Sequence, residues 1–248
     1  MKVSIITVVF NNALTIQDTI SSIINQNICV HEHLIIDGGS TDGTLRIIQD
    51  NFDLGVSLIS EPDEGIYDAM NKGIRLAFGD IIGFLNSDDV YYDETTLNQV
   101  SRVFEADPTL EIVYGDLVYV RQHNLDSIVR TWRSRPFNAR YFGDGHVPPH
   151  PSFFVKRKIL LETGGFDQQF KLAADYELMF RLLEIEKRRS FYLPSILVKM
   201  RLGGATNRSA SNIRLGNQEI VAAWHKHSRS IPLRFWLLRY LKKVHQFF

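Results

Sequence analysis

The sequence carries one cysteine, Cys29, among 248 residues. A lone thiol excludes an internal disulfide and a cysteine zinc cluster; it fits a reducing cytosol, with Cys29 a small buried side chain. Neither sign of charge is in excess, since 28 Lys plus Arg offset 28 Asp plus Glu. A neutral total gives no ground for nucleic acid as a partner, and any electrostatic preference must be local. Long apolar runs are also missing. The first, Val3 to Phe10, is stopped by Asn11 and Asn12, well short of a signal peptide's reach. Nowhere do about 18 uninterrupted apolar residues occur, so the expectation is a soluble or peripheral protein. No repeat, low-complexity tract or linker is visible, and the absence of GxGxxG after the first strand argues against a dehydrogenase.

What is present is an ordinary globular composition, 44% hydrophobic and 23% charged, sufficient for a sizeable core. Val3 to Phe10 is rich in β-branched residues on both faces, as in a strand covered on two sides, and Ala13 to Ile24 follows at helical spacing. The alternation repeats: strand His33 to Ile36, helix Thr44 to Gln49, strand Val56 to Ile59, helix Ile66 to Phe78, strand Ile81 to Leu85. Such alternation predicts an α/β fold with a mostly parallel sheet flanked by helices. Further on, the pattern predicts one long strand or a strand pair over Ile112 to Val120, a strand at Ser152 to Val155 and a helix from Ala174 to Glu186. It then predicts strands near Phe191 and over Ile196 to Met200, a Gly203-Gly204 turn, and helices Ser211 to His227 and Pro232 to Phe248. We expect one domain over residues 1–230, followed by a C-terminal helical appendage over 231–248.

In parallel α/β sheets, ligands bind beyond the carboxyl ends of the strands. Polar residues gather there: Asn11 and Asn12; Asp37, Ser40 and Asp42; Glu61, Asp63 and Glu64; Asn86, Ser87, Asp88 and Asp89. The last group delivers two carboxylates to the rim of the sheet. Mg²⁺ or Mn²⁺ needs only one or two when a ligand's phosphates fill the other positions. Adjacent Asp residues also fill turns and cap helices, and do so more often than they bind metals. Ser40 and Asp42 suit a turn and helix cap, while Asp37 suits a ligand contact. Asp175 opens an amphipathic helix, where an acid is favourable without any function.

The order of these motifs resembles family 2 glycosyltransferases, which have the GT-A fold, and particularly bacterial members that build exopolysaccharides and lipopolysaccharides. The likeness runs from about Lys2 to Gly204. It rests on Ser4-Ile5-Ile6-Thr7-Val8-Val9-Phe10-Asn11, the Asp37-Gly38-Gly39-Ser40 block, Glu61 to Gly73, Asn86-Ser87-Asp88-Asp89, His150-Pro151-Ser152, Gly164-Gly165-Phe166-Asp167 and Ala174-Asp175-Tyr176-Glu177. The resemblance implies that Thr7, Asn11, Asp37 and Asp63 hold the nucleoside of a nucleotide-sugar donor, by default a UDP-sugar. It implies Asp88, with Asp89, as ligands of Mn²⁺ or Mg²⁺, and Asp175 as general base in an inverting transfer to a saccharide acceptor, polyprenyl-linked in such pathways. His150 and Arg201 stand where they could contact acceptor or diphosphate; the alternatives are a loop histidine and a surface arginine. A cytoplasmic location, with peripheral contact at the inner membrane face, would follow.

Three positions depart from the family's pattern: Asn86 replaces a common Asp, Ala174 a common Glu, and Glu64 a common basic residue. The first removes a charge from the metal site, and the first two leave open a catalytically inactive, nucleotide-sugar-binding or scaffold relative. A nucleotidyltransferase would need a Gly-rich basic loop after the first strand, which Asn11-Asn12-Ala13 is not. Asp68 and Lys72, four apart, suit an exposed ion pair. Asn207-Arg208-Ser209 fits the glycosylation sequon, with nothing else to indicate secretion. Pro232 to Phe248 mixes aromatic and basic residues without an acid, suiting an anionic membrane interface or packing on the domain or on a second subunit.

Overall fold

A computed structural model describes residues 1–28, 31–203 and 209–245; Cys29, Gly204, the sequon's Asn207 and Arg208, and the last three residues lie outside them. The first half alternates as the sequence predicts: β1 (Val3–Val9), α1 (Ile16–Ile24), β2 (Glu32–Asp37), α2 (Thr44–Gln49), β3 (Val56–Ser60), α3 (Ile66–Leu76) and β4 (Ile81–Phe84). Every residue of β1, β2 and β4 is buried, which is why their sequences are apolar on both faces. These strands run parallel in the spatial order β3-β2-β1-β4.

The second half extends the same sheet. It comprises β5 (Val90–Tyr91), α4 (Thr96–Ala106), β6 (Ile112–Arg121), β7 (Asn124–Trp132), β8 (Phe153–Lys156), α5 (Arg157–Glu162), α6 (Ala174–Phe180), β9 (Ser190–Arg201), α7 (Ala210–Lys226) and α8 (Arg234–His245). Strand β8 inserts antiparallel between β4 and β6, and β9 lies parallel to β6. The sequence pattern misses α4, α5, β5 and the β6–β7 hairpin. It also divides β9 in two, for a physical reason: the register against β6 jumps from Tyr114↔Tyr192 to Asp116↔Ile196 around Pro194, which has no N–H to give the ladder. Helix α6 continues into a π-helical turn at Arg181–Ile185, completing the segment expected as one helix.

The C-terminal helices follow the sheet and are fastened to it. Trp224 of α7 and Phe235 of α8 belong to the largest core cluster, and Phe235 is fully buried against Trp224, ring centroids 5.9 Å apart. The other side of α8 carries Leu237, Tyr240 and Leu241 in the open, with Leu233 just before it. Of the alternatives for this segment, packing on the domain holds for one side of α8, and the other side stays exposed. Among the described residues, no helix is long and apolar enough to cross a membrane.

Candidate active site

The turns after β1, β2 and β3 interlock at the carboxyl edge of the sheet. Asn11 adopts φ +49°; its N–H donates to Ser40 Oγ at 2.8 Å, and its Oδ1 accepts from the Thr41 N–H at 2.8 Å. Asp42 caps Thr44 with one oxygen and accepts from the Ala13 N–H with the other, so Ser40 and Asp42 build the turn. Asp37 is buried where β2 ends. Its Oδ2 accepts from the Gly39 and Ser40 N–H groups and the Ser60 hydroxyl, whereas its buried Oδ1 has no partner among the described residues. A buried acceptor without a donor is costly and marks a place where a ligand N–H or O–H would fit. Asp63 lies so close to Gly38 that a Cβ there would overlap its carboxylate, and the ring of Phe10, 63% exposed, borders the same point. Thr7 is not in this crevice. It is fully buried within β1, its hydroxyl paired with His33 Nε2 at 3.0 Å.

The acidic turn after β4 divides its two carboxylates between different tasks. Asp89 is buried, accepting from the Arg201 N–H at 3.0 Å through Oδ1 and from Asn86 Nδ2 at 2.9 Å through Oδ2. Burial, reinforced by the Asp88 charge, raises its carboxyl well above the usual range. Asn86 is therefore a neutral clamp on Asp89. Arg201 is not a surface side chain: it is 4% exposed, donates to Asp18 and to the Gln122 and Asp88 carbonyls, and braces the turn. Half-buried Asp88 remains as the carboxylate at the rim. Among the described residues, no three acidic, His or Cys side chains form a metal cage. A divalent ion here fits only as a site completed by a ligand's phosphates.

Asp175 stands in the first turn of α6. Its Oδ1 accepts from the Tyr67 hydroxyl at 3.2 Å and from the Tyr176 N–H at 2.8 Å. Burial, and then the Asp175 charge, push the Tyr67 phenol well up, so Tyr67 stays a donor. Tyr67 stacks on Phe166 at 5.5 Å, which meets both Phe84 and His150. His150 is held between those rings with a buried Nε2 that has no partner among the described residues. Burial lowers its pKa, opposed by Asp175, so it is neutral at pH 7. The Asn71 side chain fixes Phe166 by two 2.8 Å bonds to its backbone, over Gly165 at φ +69°. Tyr119 links the two halves: burial raises its phenol, Arg130 opposes this, and the charges of both Asp89 and Asp175 add to the rise. Contacts also join them: Asp175 bonds Tyr67, Tyr67 stacks on Phe166, and Phe166 meets Phe84, the last residue of β4 before the acidic turn.

The approach to α6 has no side-chain cap of its own. Glu219 of α7 supplies it, accepting from the N–H groups of Lys171, Leu172 and Ala173 at 2.8 Å each. Glu177, fully buried, is held by Arg181, Lys226 and His227 and has a structural task. Lys72 joins Asp68 at 3.4 Å, as expected, but also Glu61 and the Pro62 carbonyl, tying α3 to the loop after β3.

This layout has known counterparts. The profile of "Glycosyl transferase family 2" matches residues 4–164. The chain belongs to that family. It is 33% identical over 184 residues to an uncharacterized glycosyltransferase of Mycobacterium tuberculosis, spanning 72% of this chain and 68% of that one. Staphylococcus aureus TarS 1–349 in complex with UDP-GlcNAc superposes with TM-score 0.65 at 18% identity, covering 97% of this chain and 73% of that chain. Mannosyltransferase PcManGT of Pyrobaculum calidifontis, in complex with GDP-Man and Mn²⁺, gives TM-score 0.66 at 20% identity over 99% and 69%. The chain is a glycosyltransferase with the GT-A fold, of the nucleotide-sugar-using kind. The family profile ends before Asp175, whereas the structural matches cover 97% and 99% of the chain.

Proposed function

We propose that this glycosyltransferase inverts the anomeric centre, moving a sugar from a UDP-sugar to a saccharide acceptor of bacterial surface-polysaccharide synthesis, lipid-linked and met at a membrane surface. The observation that supports the reading is Asp175, fixed by Tyr67 and the Tyr176 N–H and joined through Tyr67 and Phe166 to Phe84 at the end of β4, just before the acidic turn. In this reading Phe10 lies against the nucleobase, while Asn11, Asp63 and the unpartnered Oδ1 of Asp37 hold the nucleoside. Thr7 is left out because its hydroxyl is engaged by His33.

Asp88 would hold Mn²⁺ or Mg²⁺ together with the donor's diphosphate, and the ion would supply charge neutralisation for the departing nucleoside diphosphate. Asp175 takes the proton of the acceptor hydroxyl as that oxygen bonds to the anomeric carbon and the bond to the diphosphate oxygen breaks. One displacement at that carbon inverts it. Tyr67 keeps the carboxylate aimed, and neutral His150 Nε2 offers a contact to the acceptor.

The test is thermal unfolding against UDP, GDP, CDP and dTDP, each with and without Mn²⁺, repeated on Asp88→Ala. The expected outcome is stabilisation by UDP that needs both Mn²⁺ and Asp88; a ligand at 100 times its Kd adds about 2.7 kcal/mol. No shift with any nucleotide would favour an inactive scaffold and sink the proposal.

A further inference from the structure

Helix α8 brings a cation to the site that no motif of the donor half contains. The Arg239 guanidinium lies 5.9 Å from the ring centre of Tyr176, the residue after Asp175, and 5.8 Å from that of Phe235. The helix is pressed onto the Tyr141–His146 loop. Gly145, at φ +75°, stands so near the Arg239 backbone that an added Cβ would lie 2.8 Å from its nitrogen. Arg234 Nε bonds Asp144 Oδ1 at 2.8 Å and Lys242 Nζ the Asp144 carbonyl at 2.7 Å, so α8 is pinned on both sides of Arg239. Its place is therefore set by backbone packing and two tethers, independently of any charge partner of its own.

Arg239 makes no hydrogen bond or ion pair among the described residues, although Arg234 on the same helix has its carboxylate. Burial lowers the Arg239 pKa, opposed first by Tyr176 and then by Asp175. Arg239 thus lies by the ring of the residue that directly follows the base. A guanidinium half withdrawn from water, with its donors unengaged, is costly until an anion arrives, and its planar fork suits phosphate oxygens. The exposed row of Leu233, Leu237, Tyr240 and Leu241 lies on the opposite, outward side of the same helix. A membrane met by that row would bring lipid-borne phosphates to the helix that carries Arg239.

We propose that Arg239 binds a phosphate carried by the acceptor, in first instance a lipid phosphate, and so positions the acceptor hydroxyl at Asp175. This rests on the reading of Asp175 as the base. The experiment uses the full chain with its donor site filled by UDP and Mn²⁺, or by the nucleoside diphosphate that stabilises it in the assay above. Farnesyl phosphate, farnesol and glucose 1-phosphate are titrated calorimetrically into wild type, Arg239→Gln and Arg239→Lys. Farnesyl phosphate should bind wild type at least tenfold more tightly than farnesol. Arg239→Gln should lose at least tenfold of that affinity and Arg239→Lys less, with the UDP shift unchanged in both. Arg239-dependent binding of glucose 1-phosphate as tight as that of farnesyl phosphate would assign the phosphate to a soluble acceptor and keep the residue's role. Equal farnesyl phosphate binding by wild type and Arg239→Gln, or no binding to either, overturns the proposal. So does a loss confined to UDP, which would make Arg239 a donor residue. Failure of the donor reading is separate: it shows as no nucleotide shift in wild type, whatever Arg239 does.

Discussion

Glu219 is the residue whose removal most directly tests how Asp175 is held. It is 9% exposed, and its carboxylate accepts three consecutive backbone N–H groups at 2.8 Å just ahead of α6, whose cap residue Ala173 has no polar side chain. Hydrogen bonds to a charged group contribute about 1.5–3 kcal/mol each, and an anion near a helix start adds a smaller dipole gain. Water reaching the exposed Lys171 end will recover part of this, so Glu219→Ala should cost about 3–5 kcal/mol. For a domain of this size that lowers Tm by on the order of 10 °C. Glu219→Gln keeps the shape and one acceptor oxygen, and should cost about half as much. The local consequence is sharper than the global one: Lys171, Leu172 and Ala173 amides should lose hydrogen-exchange protection, and Asp175, two residues on, should lose its aim. A misplacement near 1 Å costs about 100-fold in rate, so donor-sugar hydrolysis or transfer should fall at least tenfold in kcat. A Glu219→Ala protein with Tm within about 2 °C of wild type and unchanged exchange at those three amides would refute the reasoning.

Burial holds His33 down to about 3 from 6.5, with Nε2 on Thr7 and Nδ1 buried without a partner among the described residues. A depressed folded value means the neutral ring's stability is fully present above pH 6.5 and is lost as pH falls toward 3, about 2 kcal/mol by pH 5. Denaturant unfolding at pH 7 and pH 5 should show that much less pH loss in the Thr7→Val, His33→Leu double variant, and an identical loss would exclude His33. Gly165→Ala places a Cβ against Asn71 Oδ1 at φ +69° and should cost about 2–4 kcal/mol, whereas Gly164→Ala, at φ +81° with open space, should cost about 1. Equal Tm losses for the two glycines would show that the Asn71 clamp on Phe166 does not matter. Leu237→Ser with Leu241→Ser should release the protein from anionic vesicles in flotation without lowering Tm, because both side chains are exposed; retained flotation would dissociate α8 from the membrane.

What could be read from the chain alone follows from how each residue reports its surroundings. The first four strands are buried on both faces, so β-branched runs give them away, and the polar residues interrupting those runs had to lie at the sheet's edge. Helix α4 escapes because its core-facing side includes Thr96 and Ser101, which weakens the contrast between faces. Strand β7 escapes because it is half exposed along its length, with Asp126 and Arg130 among its apolar residues. The site shows the same split. Asn11, Asp37, Asp63 and Asp88 are local, each fixed by the strand it follows. The residues that give Asp175 its surroundings come from far along the sequence: Tyr67 lies 108 positions before it, and Glu219 bonds amides 46 to 48 positions away. No period or spacing encodes such pairs. Arg201 shows the cost of judging a side chain by its type, since its guanidinium, on the surface by habit, is buried to tie the acidic turn to α1 and to the turn after β6. Asn86 makes the complementary point. As a letter it weakens a metal motif; in place, its amide holds the buried Asp89 and leaves half-buried Asp88 at the rim, so the turn keeps its charge.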